Sequence, residues 1–406
     1  MLIVGAGIVG LSCAWSLQER GVEVCVVDRR QPGAGASWQN AGYVSPALSA
    51  PLPEPAILRY GVRAVLSPRS PVQLLWQNDP GLISFMAGLA RHCTATQWRR
   101  SMAAYRPLNE KVAESYERQR AGGVDSDVFT GDVLTCFEQG DSSGAFVHEI
   151  QGIIESGQRV KIELLTGDEA REREPHLTKK VALGVIVKGQ QYLTPSHYVV
   201  ALARSVRDRG GEILDKTPVS AVERRRGTLV AHGPDVDLEA EAMVLANGAW
   251  MSSLATDHGV RVRVYGGRGY SFTLPCSEAF KLPTYFPSAR VAVTPQGDRA
   301  RLAGIMEFGS PDATPRPGRI ETMVHSVRPF LQDVDWGARS DDWMGPRPLT
   351  TDGLPLVGAT RTPGLFVAGG HGMWGVTLGP LTGDLLAERI ATGVSPPELR
   401  PLDPCR

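Results

Sequence analysis

The sequence predicts an α/β protein: a Rossmann-like nucleotide-binding layer of parallel strands, interleaved with an α+β substrate domain built on an antiparallel sheet. Three observations predict it. Residues Met1 to Asp28 read strand, glycine turn, helix, strand, acid. Helix and strand patterns of the same kind return between residues 194 and 256. An alternating, turn-rich stretch from Val260 to Phe308 then precedes a second glycine-rich turn near the C-terminus.

In the opening unit, the apolar run Leu2 to Val4 meets Gly5, Gly7 and Gly10, then the helical stretch Leu11 to Leu17, Gly21, the run Val22 to Val27 and Asp28. A dinucleotide-binding βαβ unit has this layout. Gly5 permits a tight turn, Gly7 lets backbone N–H groups approach a pyrophosphate, and Gly10 lets the helix lie close to the sheet. The pyrophosphate would sit on the helix N-terminus, and Asp28 falls where a carboxylate accepts from a ribose diol. The loop Arg29 to Pro46 follows at once, so Arg29 joins the cofactor-binding set. Ser37 is able to hydrogen-bond phosphate, and Asn40, Ala41 and Gly42 offer backbone close to a ring.

Composition excludes several classes. The 43 basic and 43 acidic residues cancel, so no global field gathers nucleic acid or anionic lipid. The six cysteines show no C-x-x-C spacing and read as free thiols of a reducing compartment, with no zinc or other metal site implied. No stretch approaches the roughly eighteen apolar residues of a membrane span. The chain starts one residue before its first strand, and a cytoplasmic protein without a leader is expected.

Residues 51–122 read as a helical insertion, proline-punctuated first and helix-periodic from Gly81 to Gly122. Its apolar segment Leu82 to Ala90 suits peripheral contact with a membrane face, or packing on its own domain, which needs no external partner. Strands follow at Val128 to Phe137, Ile162 to Leu165 and Val181 to Val187, with helices at Ser142 to Glu155 and Thr166 to Pro175. Thr194-Pro195 starts a helix to Arg209. Strands at Glu212 to Leu214, Val219 to Arg224, Thr228 to Ala231 and Ala240 to Leu245 then return to the nucleotide-binding layer, and the last stops on Ala246, Asn247 and Gly248, where backbone passes a phosphate or adenine. The expected division is a discontinuous nucleotide-binding domain of 1–50, 194–256 and 345–406, and a substrate domain of 51–193 and 257–344.

Near the C-terminus, Arg347 stands between Pro346 and Pro348, a stiff setting for a guanidinium that captures a substrate carboxylate through two parallel hydrogen bonds. Beyond it come a buried strand, Leu365 to Ala368, a turn from Gly369 to Gly375 containing His371 and Trp374, and a helix from Thr377 to Ile390. A helix start at Gly375 to Leu378 aims positive dipole at the turn. With the pyrimidine end of a flavin in the turn, it would stabilise the negative charge that the ring gains with a hydride, and this second site favours FAD over NAD.

GAGIVG with Asp28, SWQNAGYVSP, LANGAW, YGGRGYSFTL, GPRPLTTDGLPLVG and GHGMWGVTLGP, in that order, resemble the FAD-dependent D-amino-acid oxidase superfamily, most of all the small-subunit type of bacterial D-amino-acid dehydrogenase. The resemblance spans essentially the whole chain. It implies an FAD-binding domain of the glutathione-reductase/p-hydroxybenzoate-hydroxylase type, with Gly5, Gly7, Gly10 and Asp28 on the ADP half. Ser37, Asn40, Ala41 and Gly42 would line pyrophosphate and flavin, Val219 would meet adenine, and Gly370, Gly372, Gly375 and Thr377 would hold the pyrimidine end. Arg347 would bind the substrate carboxylate. Two departures affect the substrate: Met373 and Trp374 before Thr-Leu-Gly-Pro are nearer to oxidases and imino-acid dehydrogenases, and Arg268 stands where a lysine is common.

The expected reaction moves a hydride from the Cα–H of a small D-amino acid to flavin N5, and the imino acid hydrolyses to a 2-oxo acid and ammonia. Oxygen or a quinone would accept the electrons. Tyr285 and Tyr265 are candidates for a second carboxylate contact, and His371 for a turn residue beside the flavin. The rival expectations are oxidation of an N-methyl or cyclic imino acid or a 2-hydroxy acid, an electron-relay subunit of a larger complex, and an NAD-binding dehydrogenase.

Overall fold

Five apolar runs align in parallel, in the order Glu212–Leu214, Cys25–Val27, Leu2–Val4, Met243–Leu245, Leu365–Gly369, and Leu356–Ala359 closes that edge antiparallel. The runs are apolar at nearly every position because both faces are covered. Ile3, Val26, Val244 and Ala368 share one core with the helices Ile8–Gln18, Pro195–Asp208 and Gly375–Thr392. Leu2, Val4, Val27, Met243 and Leu245 point the other way, into a core with Val222, Leu229 and Ala231 of a three-stranded antiparallel meander, Ala221–Arg225, Thr228–His232 and Asp237–Ala240. This computed structural model describes residues 1–55, 72–74, 79–138 and 142–406.

The second large sheet runs Ser340–Thr350, Val264–Pro275, Arg299–Phe308, Val291–Gln296, Thr284–Phe286, Val133–Phe137, Leu183–Val187, Ile162–Thr166. Its pairings are antiparallel except Thr284–Phe286 with Val133–Phe137 and Arg299–Phe308 with Val72–Leu74. Val72–Leu74 corrects the expectation of an all-helical insertion: Val291–Gln296 pairs with Arg299–Phe308 only as far as Gly304, and Val72–Leu74 takes up Met306 to Phe308 beyond it. The rest of the insertion's first part, 56–71 and 75–78, lies outside the described residues. From Gly81 onward the periodicity gives three helices, Pro80–His92, Ala95–Asn109 and Val112–Ala121. The first is capped by Asp79, which accepts from the N–H groups of Gly81 and Leu82 at 2.8 and 3.3 Å. Its apolar stripe, Leu82, Phe85 and Leu89, is buried against Met306, Phe308 and Leu349, so the protein's own sheet occupies it.

Two expected strands divide. Val128–Thr130 pairs in a small sheet with Gln191–Leu193, which also holds Tyr43–Val44, whereas Val133–Phe137 joins the large sheet. The stretch Ala240 to Leu245 breaks between the end of the meander and the parallel strand Met243–Leu245. Both stretches carry one continuous pattern because both halves are extended, and only pairing separates them. All six cysteines are free thiols. Among the described residues no helix is long and apolar enough to cross a membrane, and no group of three or more His, Cys, Asp or Glu is placed to hold a metal ion.

Candidate active site

An elongated cleft follows the C-terminal ends of the parallel strands, where an open α/β sheet leaves room for a ligand. Following the sheet order, its wall passes from Asp28, Arg29 and Thr217 through Gly5 and Gly7 to Asn247 and Gly248, then to His371 and Gly375, and reaches Arg347 on the second sheet.

The glycine turn is built by close approach. Gly5 has φ +114°, and a β-carbon there would stand 2.4 Å from the Ala246 carbonyl oxygen; one on Gly10 would stand 1.9 Å from that of Gly5. Helix Ile8–Gln18 starts at Gly7 with neither a side-chain cap from that residue nor an acid in its first turn. The Ser37 hydroxyl accepts from the Ile8 N–H at 3.1 Å and keeps its own proton to donate. A helix start that faces a cleft and carries no acid favours an anion. Asp28 has a local duty that the motif alone did not reveal: Oδ2 accepts from the Ala6 N–H at 2.8 Å and Oδ1 from the Arg30 N–H at 2.9 Å. It braces the turn and the following loop, and each oxygen retains a second lone pair.

At the centre, Asn247 donates through Nδ2 to the Trp250 carbonyl oxygen at 2.9 Å, and its buried Oδ1 has no partner among the described residues. His371 lies in the wall at 2% exposure, with Nε2 2.8 Å from Thr382 Oγ1 and Nδ1 without a partner among the described residues. Burial lowers its pKa to about 4, so the ring is neutral above that pH. The Trp374 indole donates to the Ala50 carbonyl oxygen at 2.7 Å and fixes the turn where helix Gly375–Thr392 begins.

At the far end, the Arg347 guanidinium donates to the Ile305 carbonyl oxygen at 2.9 Å. Ile305 has φ +45° at an irregularity in the pairing of Val264–Pro275 with Arg299–Phe308, a strained position for a β-branched residue, and the local turn of the chain aims this carbonyl out of the ladder. Burial lowers the pKa of Arg347 to about 10, Tyr285 acts in the opposite sense, and the group is a cation at neutral pH. Among the described residues no carboxylate pairs with it.

Of the residues singled out in the sequence, Gly5, Gly7, Asp28, Arg29, Ser37, Asn40, Val219, Asn247, Gly248, His371, Gly372, Gly375 and Arg347 line the cleft. Others stand behind the wall. Gly10 seats the helix. Gly42, φ +80°, accepts from the Leu193 N–H at 2.9 Å, and the Ala41 carbonyl takes the Thr294 hydroxyl. Gly370 borders a small neighbouring void. The Thr377 hydroxyl donates to the Tyr43 carbonyl at 3.1 Å and accepts from the Ser45 N–H at 3.4 Å. Tyr285 is close enough to Arg347 to act on its charge. Tyr265 stacks on Phe85 with centroids 5.3 Å apart and donates its hydroxyl to Asp79, outside the cleft wall.

Sequence reasoning missed Trp250, whose ring stands at the cleft, and buried Arg301, which reaches the Gln39 carbonyl at 3.4 Å beneath the Ser37–Gly42 loop. The LANGAW motif contained the first. Nothing local marks the second, since its partners lie far away in sequence.

A family model described as FAD dependent oxidoreductase matches residues 1–389. A D-amino acid dehydrogenase of Cereibacter sphaeroides is 29% identical over 409 aligned residues, covering 96% of this chain and 91% of that protein. Glycine oxidase from Geobacillus kaustophilus superimposes with TM-score 0.75 at 22% identity, covering 100% of this chain and 98% of the other. L-proline dehydrogenase from P. horikoshii does so with TM-score 0.70 at 17% identity, covering 100% and 96%.

Proposed function

The chain belongs to the FAD-dependent oxidoreductase family, and on that premise we propose that it oxidises the Cα–N bond of a small amino acid, foremost a D-amino acid, to an imino acid that water hydrolyses to a 2-oxo acid and ammonia. FAD fits the residues present: Gly5 and Gly10 have no room for β-carbons, the helix start at Gly7 lacks an acid, and Asn247 Oδ1 and His371 Nδ1 are buried without partners among the described residues. When bound, FAD supplies the acceptor for the hydride that leaves the substrate.

In this reading Gly5, Gly7, Ser37 and Asp28 hold the ADP portion, with Arg29, Val219, Asn247 and Gly248 along it. The turn Gly370–Gly375 and its helix start receive the ring. Arg347 fixes the substrate carboxylate, and its freedom from any carboxylate partner among the described residues is the observation that carries the proposal. A partly buried guanidinium with no carboxylate partner among the described residues is stabilised by an anion that arrives with the substrate. Tyr285 stands near enough to join it. His371 stays neutral and adds no second positive charge at the turn. Orientation between Arg347 and the cleft wall, rather than a protein base, carries the chemistry, with the substrate amine reacting as its neutral form. The dehydrogenase relative, named for D-amino acids, supports the substrate class.

The test is an anaerobic titration of the purified protein with D-amino acids, L-amino acids, imino acids and 2-hydroxy acids, following the flavin absorbance. Bleaching by D-amino acids first is the expected result. Bleaching by cyclic imino acids or 2-hydroxy acids alone would reassign the substrate, and readmitted air reports by the rate of colour return whether oxygen serves as acceptor.

A further inference from the structure

Arg29, which follows the ribose-side acid Asp28, is exposed but lies against the protein. Its guanidinium carbon lies 3.7 Å from the centroid of the Trp250 ring, and Nη1 and Nη2 both donate to Oδ1 of Asp312 at 3.2 Å. The other carboxylate oxygen, Oδ2, accepts from the Trp250 indole N–H at 2.9 Å. One carboxylate thus holds both partners of a stacked pair.

The three residues come from separate parts of the fold. Arg29 follows strand Cys25–Val27, Trp250 follows Met243–Leu245, and Asp312 belongs to the 309–318 loop of the second sheet. That loop is anchored on both sides of Asp312. Gly309 donates to the Gly266 carbonyl at 3.3 Å, and fully buried Arg268 donates to the carbonyls of Ala313 and Thr314 at 3.0 and 3.2 Å while paired with fully buried Glu307 at 2.8 Å. Arg29 and Trp250 line the cleft; Asp312 stands behind them and does not.

We propose that Asp312 closes a clasp across the adenosine end of the cleft, binding the second sheet to the nucleotide-binding layer and setting how long the dinucleotide stays bound. The proposal rests on the cofactor reading above. Asp312 is a positioning residue: it holds Arg29 flat on Trp250 and touches no ligand itself. Its side chain is 61% exposed and that of Arg29 38%, so the ion pair weakens with ionic strength.

The test uses the purified holoenzyme, measuring FAD release by the recovery of free-flavin fluorescence at low and high sodium chloride for the wild type, Asp312→Asn and Asp312→Glu. Release from the wild type is expected to quicken several-fold with salt. In Asp312→Asn it should be about three- to tenfold faster at low salt, as befits a half-exposed ion pair and cation–π contact, and nearly independent of salt. Asp312→Glu should recover part of the retention. The apoprotein melting temperature of Asp312→Asn should stay at the wild-type value; an equal loss of apoprotein stability would make Asp312 merely structural and overturn the clasp. Wild-type release rate and salt dependence in Asp312→Asn would also overturn it, leaving the cofactor reading intact. A protein that binds no FAD at any salt overturns both.

Discussion

A β-carbon on Gly269 would stand 2.3 Å from the guanidinium carbon of Arg347. The arginine lies across the neighbouring strand on a spot that only glycine leaves clear, and there it meets the Ile305 carbonyl. Gly269→Ala therefore moves the guanidinium, which sits at the end of a flexible side chain and is able to give way. KM for the substrate should rise about tenfold with FAD retained, and kcat should fall as well because the substrate is held in a poorer orientation. Steady-state kinetics on the holoenzyme checks it; an unchanged KM would show that the displaced guanidinium does not bind substrate.

Arg347→Ala removes the cation altogether. Loss of a buried charge pair with the substrate carboxylate costs about 2–5 kcal/mol, so KM should rise by roughly 30-fold or more. Arg347→Lys should recover only part of this, because an ammonium does not reproduce the planar fork. Flavin absorbance of the purified variants reports whether the cofactor is still bound.

The two tyrosines should separate. Tyr265→Phe loses a hydrogen bond to Asp79 outside the cleft wall and should lower stability by about 1 kcal/mol with KM within twofold of the wild type. Tyr285→Phe, beside Arg347, should raise KM more than Tyr265→Phe does. Equal effects on KM would remove the distinction.

His371 makes the protein acid-sensitive. Its folded-state pKa of about 4 lies below the ordinary 6.5, so both states are neutral above pH 6.5 and the group contributes nothing there. As pH falls through 6.5 the unfolded chain binds a proton that the buried ring refuses, and stability is lost progressively down to about pH 4. Between pH 7 and 4.5 this amounts to about 2–3 kcal/mol. Urea unfolding of the apoprotein should show His371→Gln losing that much less than the wild type over the same interval; equal losses would place the imidazole in contact with water.

Gly10→Ala should be the most damaging of the small substitutions in the opening unit, since its β-carbon would stand 1.9 Å from rigid backbone at Gly5 rather than from a yielding side chain. Overpacking of this kind costs about 1–3 kcal/mol. A lower apoprotein melting temperature together with loss of bound flavin is expected, where Gly269→Ala loses neither.

The opening unit was legible because its information is local. Strand, turn, helix, strand and acid lie within twenty-eight residues, and Gly10 answers a steric demand of Gly5 in the same turn. The turn around His371 and the isolation of Arg347 between prolines were legible for the same reason. The strand boundaries at Gly131 and Ala240 were not, since one extended pattern serves two sheets. Nor were the spare bonds of Thr377, the turning of Tyr265 toward Asp79, or the clasp of Asp312 with Arg29 across 283 positions. The chain by itself determined the class of fold and the cofactor, because periodicity and turn chemistry are written in neighbouring residues. Tertiary structure alone decided which polar groups face the cleft and which serve the scaffold, because that depends on partners brought together by sheet pairing from distant parts of the chain.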